Sequence, residues 1–136
     1  MTQSIESIKP SLKIPPHSIE AEQAVLGGLM LDNSAWEQVV DKLTEHDFYR
    51  SDHRTIFRTI SALALQDKPL DLITISEHLE TQQSLTEVGG LGYLGQIAKN
   101  TPSAANIAAY ADIVKERAVL RQLIEVGAEI SGSGFE

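Results

Sequence analysis

The hydrophobic residues of this chain recur at helical spacing over most of its length, and no segment alternates as a half-buried strand would. Ser18 can cap a first helix that runs from Ile19 to about Leu31. Glu20 and Glu22 fall in its first turn, where the helix dipole favours carboxylates. Gly27-Gly28 cost about 1 kcal/mol each in helix propensity, so close packing against another helix must compensate. We predict a buried central helix.

Two further helices are predicted between residues 32 and 69. Asp32-Asn33-Ser34 forms a turn and cap before the first of them, and Ser51 can cap the second, which Asp67-Lys68-Pro69 stops. The expected core positions are Trp36, Val39, Val40 and Leu43 in one helix, and Ile56, Phe57, Ile60 and Leu63 in the next.

A fourth and a fifth helix follow. Thr74-Ile75-Ser76-Glu77 fits a capping box, and Ile75 and Leu79 form the apolar stripe behind it. After Gly89-Gly90 a short helix is expected to place three apolar residues on its inner side: Leu91, Leu94 and Ala98.

The last helix carries two apolar stripes on nearly opposite sides. Thr101 and Pro102 suit its N-cap and first position. The first stripe contains Ile107, Tyr110, Ala111, Val114 and Ala118, and the second contains Val119, Leu123, Val126 and Ile130, flanked by Leu120 and Ile124. Such a helix packs on two different bodies, so the second stripe must meet another segment or another chain. We expect residues 131–136 to form a turn, cut before the element that completes this packing.

These patterns predict an all-α fold, a compact bundle of about six helices with a long C-terminal helix. Three parts are expected: a disordered lead-in at residues 1–16, a helical domain at 17–100, and the long helix at 101–136.

Composition narrows the function. The 136 residues include no cysteine, which excludes disulfides and thiolate metal sites. They carry a net charge of −8, which disfavours binding to the phosphates of nucleic acid. No apolar run approaches the ~18 residues that span a bilayer, and no signal peptide is evident. We expect a soluble, cytoplasmic protein with a protein-binding or structural role.

No motif for catalysis appears. The sequence lacks a P-loop, a nucleophile elbow and zinc-ligand spacing, and its four histidines share no ligand pattern. Asp47, Asp52 and His53 could form an acid–base cluster, but nothing supplies a nucleophile or oxyanion donors. We therefore expect no enzyme, no cofactor and no metal in this chain.

One basic ridge stands out on the acidic chain. Arg50, Arg54 and Arg58 are spaced by four, so they line one side of the third helix. The ridge is either a solvated face or a weak candidate for contact with DNA or an acidic partner.

Several segments, in order along residues 14–135, resemble the N-terminal domain of bacterial replicative DNA helicases of the DnaB type. The segments that carry the resemblance are Pro15 to Leu29, Asp47-Phe48-Tyr49 with His53 and Ile56-Phe57, Asp71 to Thr74, Val88-Gly89-Gly90, Asn100 to Asn106, Ala109 to Val114, and Glu116-Arg117-Ala118.

The resemblance implies a collar domain. Members of this family form homohexameric rings that hydrolyse ATP with Mg²⁺ and unwind DNA 5′ to 3′, binding single-stranded DNA mainly through a motor that has no counterpart in these residues. Their N-terminal domains form a trimer of dimers and help to recruit primase and, in some bacteria, a loader. There the last helix is the first arm of a helical hairpin that pairs between subunits. The candidate seam residues are Val119, Leu120, Leu123, Ile124, Val126 and Ile130.

An alternative class remains open, a free-standing acidic helical adaptor that has no motor. A small hydrolase built around Asp52 and His53 has little support.

Overall fold

A computed structural model describes residues 13–135, and within them the fold is all-α, as predicted. Short 3₁₀ helices at Asn33–Gln38, Glu45–Asp47 and Thr86–Val88 lie in the connections. The α-helices are α1 (Ile19–Leu31), α2 (Ser51–Leu65), α3 (Leu72–Thr81), α4 (Gly90–Asn100) and α5 (Ile107–Ser133).

Helix α1 is the buried centre of the domain, as its all-round apolar pattern predicts. The Ser18 hydroxyl caps it by accepting a 3.2 Å hydrogen bond from the Ala21 amide. The helix packs mainly on α4 and α5. A Cβ atom on Gly27 would lie 2.0 Å from the Thr101 hydroxyl, and one on Gly28 would lie 3.0 Å from Ile107. The two glycines therefore permit the close helix packing that compensates their low propensity.

A buried polar network joins α1 to α2 and α4. The Glu22 carboxylate is 1% exposed and lies 2.7 Å from Nδ1 of the fully buried His53. Nε2 of His53 lies 2.7 Å from the Tyr93 hydroxyl, which also accepts from Gln23 Nε2 at 3.0 Å. The other carboxylate oxygen accepts from the Tyr49 amide at 2.7 Å. Every buried side-chain polar atom among the described residues has a partner.

The segment after α1 departs from the predicted helix. Asp32 accepts from the Ser34 amide as expected, but the chain then forms a 3₁₀ helix and turns. Val39 and Leu43 are buried, whereas Val40 is exposed. The prediction for Val40 is wrong because a tighter turn of about three residues changes which positions face the core.

Helices α2 and α3 keep their predicted core residues, but both begin differently. Arg50, and not Ser51, precedes the first residue of α2. Asp71 caps α3 by accepting from the Thr74 amide at 2.8 Å, so the capping box that begins at Thr74 is wrong. This hydrogen bond lowers the pKa of Asp71 below its usual value. The helix begins at Leu72, before the start that a box at Thr74 requires, so its first free amides follow Asp71 and this aspartate is the residue placed to accept from them.

Helix α4 and the start of α5 also differ from expectation. Leu94 and Ile97 are buried, but Leu91 faces solvent, contrary to prediction. Thr101 ends α4, and Asn106 precedes α5, so the cap predicted at Thr101 and Pro102 is wrong. The Thr101 hydroxyl donates back to the Ile97 carbonyl at 2.9 Å and fills the space beside Gly27.

The predicted lead-in lies mostly outside the described residues, which begin at Lys13. Residues 13–16 have no regular secondary structure and lie against α5, where the Pro16 carbonyl accepts from Arg121 at 2.7 Å.

Replacing Gly27 with alanine should destabilise the domain by about 1–3 kcal/mol, because the added methyl group overpacks the contact with Thr101 and Ile97. Urea unfolding followed by circular dichroism measures the effect. Gly92→Ala is the matched control, since nothing lies within 4 Å of its Cβ position. That substitution should leave stability unchanged or raise it by up to about 1 kcal/mol. Equal effects of the two substitutions would contradict the packing role of Gly27.

Candidate partner-binding surface

The first half of α5 is fixed firmly on the domain. Ile107, Ala111 and Val114 are buried in the core. Two ion pairs flank this stripe: Lys42 Nζ lies 2.7 Å from Asp112, and Lys115 Nζ lies 3.3 Å from Asp47. Core packing therefore sets the direction in which the rest of the helix continues.

The second half of α5 continues as the same unbroken helix, and the described part of the chain contacts it mainly around Arg121. It remains helical through Ser133, so the turn expected from residue 131 begins only at the end of the chain. We call its six apolar residues, which are 40% to 68% exposed, the α5 apolar surface: Val119, Leu120, Leu123, Ile124, Val126 and Ile130. The exposure of these side chains agrees with the prediction that the second stripe contacts another segment or another chain. Which segment or chain it contacts stays a prediction.

Arg121 connects this exposed half to two other segments. Its Nη1 donates to the Pro16 carbonyl at 2.7 Å, and its Nη2 donates to the Asp47 carbonyl at 2.8 Å. Its guanidinium also lies over the Tyr49 ring, 5.4 Å from the centroid, and Tyr49 stacks on His17 with ring centroids 4.2 Å apart. The sequence pattern does not single out Arg121. Its only signal is a cation on the side of the first apolar stripe, about one turn after Ala118.

The three ridge arginines all have partners within the domain. Arg50 pairs with Asp52 at 2.5 Å, and this hydrogen bond raises the pKa of Arg50. Arg54 donates to the carbonyls of Phe48 and Tyr49. Arg58 contacts Glu45 at 2.8 Å, with 61% of its side chain exposed. Of the three, Arg58 presents the most charge to solvent.

The acid–base cluster considered from the sequence is divided among separate contacts. Asp47 pairs with Lys115, Asp52 with Arg50, and His53 with Glu22. Asp52 approaches His53 Nε2 only to 4.0 Å. Across residues 13–135 no group of three or more acidic or histidine side chains could hold a metal ion. None of the helices there has the length and apolar character needed to cross a membrane.

Comparison with known proteins identifies a family. A family model described as the DnaB-like helicase N-terminal domain matches residues 14–116. The replicative DNA helicase DnaB of Haemophilus influenzae is 48% identical over 124 residues, which are 91% of this chain and 26% of that protein. The chain thus spans about a quarter of the length of this curated relative.

Two solved structures are similar over most of the chain. The N-terminal domain of DnaB helicase from Mycobacterium tuberculosis matches with a TM-score of 0.87 and 37% identity, over 90% of this chain and 85% of that one. The N-terminal domain of DnaB helicase from Helicobacter pylori, described with its interactions with primase, matches with a TM-score of 0.70 and 25% identity. That match covers 85% of this chain and 90% of the other.

Arg121→Met should destabilise the domain by about 1–3 kcal/mol, because two carbonyls lose a charged donor. Arg117→Met is the control, since Arg117 pairs only with its neighbour Glu116 and should change stability by less than about 0.5 kcal/mol. Urea unfolding of both variants measures the difference, and similar losses would refute the anchoring role of Arg121.

Proposed function

The chain belongs to the family of DnaB-like helicase N-terminal domains, and we propose that it is the non-catalytic collar of a hexameric replicative DNA helicase. In this role it scaffolds ring assembly and docks primase. The parent protein unwinds DNA 5′ to 3′, and its ATP and Mg²⁺ are bound by a motor domain outside these 136 residues.

The observation that carries the proposal is the α5 apolar surface. Full burial of each of its six side chains is worth on the order of 1.5–3 kcal/mol, so a partner that covers them gains considerable binding energy. A second helical arm, paired between subunits, suits a straight helix with one wide apolar face. Residues 17–100 then form the body of the collar, and residues 101–136 contribute the first arm of the hairpin, which leads to the motor.

Primase is the proposed partner beyond the ring. The similar domain from Helicobacter pylori interacts with primase, which supports the same role here. A net charge of −8 suits docking to proteins better than holding a duplex, since affinity for DNA depends on neutralising phosphates. The proposal includes a helicase loader as a further partner, and it places the protein in the cytoplasm.

The acidic adaptor is the second candidate. The same apolar surface and negative charge would suit a protein that binds one foreign helix and carries no motor. It differs from the collar in one measurable respect, because it does not require the chain to assemble with itself.

Leu123→Asp should prevent ring assembly while leaving the domain folded. Leu123 is 62% exposed in the single chain, so the change costs little in the monomer, but it buries a carboxylate in any seam. We expect the hexamer population of the full-length gene product to fall at least tenfold at submicromolar concentration, as measured by mass photometry.

Leu65→Asp is the matched control for this experiment, because Leu65 is 86% exposed and lies on α2. It should leave the hexamer intact, and circular dichroism should show both variants folded. An unchanged hexamer with Leu123→Asp would exclude the seam and favour the adaptor.

Direct binding of DNA through the basic ridge is tested best at Arg58. Arg54 holds two backbone carbonyls, so reversing its charge would disturb the fold, whereas Arg58→Glu removes only a surface pair. We expect Arg58→Glu to leave the single-strand affinity of the intact protein within about twofold over a salt titration, because an arginine paired with Glu45 on an acidic domain neutralises no phosphate. A smaller salt dependence and weaker binding would show that the ridge touches DNA.

A further inference from the structure

A second apolar feature borders the α5 apolar surface. Residues 13–16 and the second half of α5 enclose an open groove of about 690 Å³. Ile14 is 69% exposed on one wall, and Ile124, which also belongs to the α5 apolar surface, is 59% exposed on the other. The groove therefore continues the same apolar area beyond the helix and onto the N-terminal segment.

The groove is held open by contacts that a single chain already makes. Arg121 donates to the Pro16 carbonyl at its base, and His17 Nδ1 lies 2.7 Å from the Pro15 carbonyl. The His17 ring stacks on Tyr49. Pro15 and Pro16 have restricted backbones, so ordering this wall costs little additional entropy when a partner binds.

Three charged side chains line the groove: Lys13 on the N-terminal wall, Arg121 at the base and Glu125 on the helix wall. Arg121 donates to the carbonyls of Pro16 and Asp47, whereas neither Lys13 nor Glu125 forms an ion pair with any described residue. In a two-fold contact the same patch meets itself, so residue i of one copy faces residue j of the other and the reverse. A two-fold axis that passes through the groove would bring each Lys13 to the Glu125 of the second copy.

We propose that this groove is part of the subunit interface, and that its occupant is the same patch of a second copy of this chain. Beside the part of the α5 apolar surface that the second arm covers, the interface then contains Ile124, the side chains of Ile14 and Pro15, and two symmetric Lys13–Glu125 pairs. This inference rests on the proposed seam between subunits along α5. It adds the N-terminal segment to that interface, together with pairs of opposite charges that fix how the two copies are aligned.

Charge reversal on separate copies tests the proposal in the full-length gene product. Lys13→Glu alone and Glu125→Lys alone each place two like-charge pairs in the interface. Each variant should assemble on the order of tenfold more weakly at low salt, and the deficit should shrink above about 0.5 M salt. An equimolar mixture of the two variants should restore assembly to within about twofold, because every cross-subunit pair then has opposite charges. Mass photometry and sedimentation velocity measure both states.

Lys68→Glu and Glu87→Lys are the controls, since they make the same changes of net charge at exposed positions outside the groove. They should weaken assembly less than twofold, separately or mixed. Leu123→Asp is measured in parallel to report on the seam itself.

Three results would overturn the proposal. Single reversals that behave like the controls would show that the groove lies outside the interface. Restoration by the double variant Lys13→Glu/Glu125→Lys on one chain, but not by mixing, would assign the pair to a single subunit. In both cases a disruptive Leu123→Asp would leave the proposed collar function standing. Assembly that is insensitive to Leu123→Asp as well would refute the seam and the groove together.

Discussion

The buried carboxylate of Glu22 is the constraint on which the rest of this domain depends. A charged group at 1% exposure is tolerated only when its hydrogen bonds are complete, and here His53 and the amide of Tyr49 supply them. With Nδ1 protonated, His53 donates to Glu22, and its Nε2 accepts from the Tyr93 hydroxyl. One acidic residue thereby fixes α1, the segment before α2, α2 itself and α4 relative to one another. Loss of a single partner from such a network typically costs about 3–5 kcal/mol.

The same network positions the surface that reaches outward. Glu22 holds the backbone of Tyr49, the ring of Tyr49 lies beneath the guanidinium of Arg121, and Arg121 joins α5 to Pro16. The buried polar network therefore helps to fix the position of the α5 apolar surface on the outside of the domain. The ridge arginines contribute in a similar way, because Arg54 binds carbonyls of the segment that Glu22 also holds. Several of the domain's few cations thus hold its own backbone and carboxylates, and the excess of 19 acidic over 11 basic residues makes the chain acidic.

Apolar spacing predicts the helices of this fold and most of their buried faces, whereas several caps and the non-local contacts could not be predicted from it. The bounds of α1, the buried positions of α2 and the two faces of α5 follow from spacing and caps within a few residues. As a carboxylate in the first turn of α1, Glu22 fits the preference of helix starts for acidic residues. Its hydrogen-bond partners lie 27 to 31 residues away, and contacts at that separation leave no periodic pattern in the sequence. Thr101 looked like a helix start because nothing nearby indicates that it fills the gap beside Gly27. The candidate seam was visible as an excess of apolar residues, whereas the contacts of Arg121 with Pro16 and Asp47 depend on the folded arrangement.

The unbroken course of α5 makes it a lever arm. At 1.5 Å per residue, the part beyond Ala118 extends about 23 Å from its last core contacts, so a tilt of about 10° at the base moves its tip by about 4 Å. Arg121 lies near the fulcrum and limits that tilt through its bonds to Pro16 and Asp47. Small adjustments in the core are thus converted into ångström-scale displacements at the far end. A partner that packs on the α5 apolar surface is therefore displaced by several ångströms when the body of the domain tilts by only a few degrees.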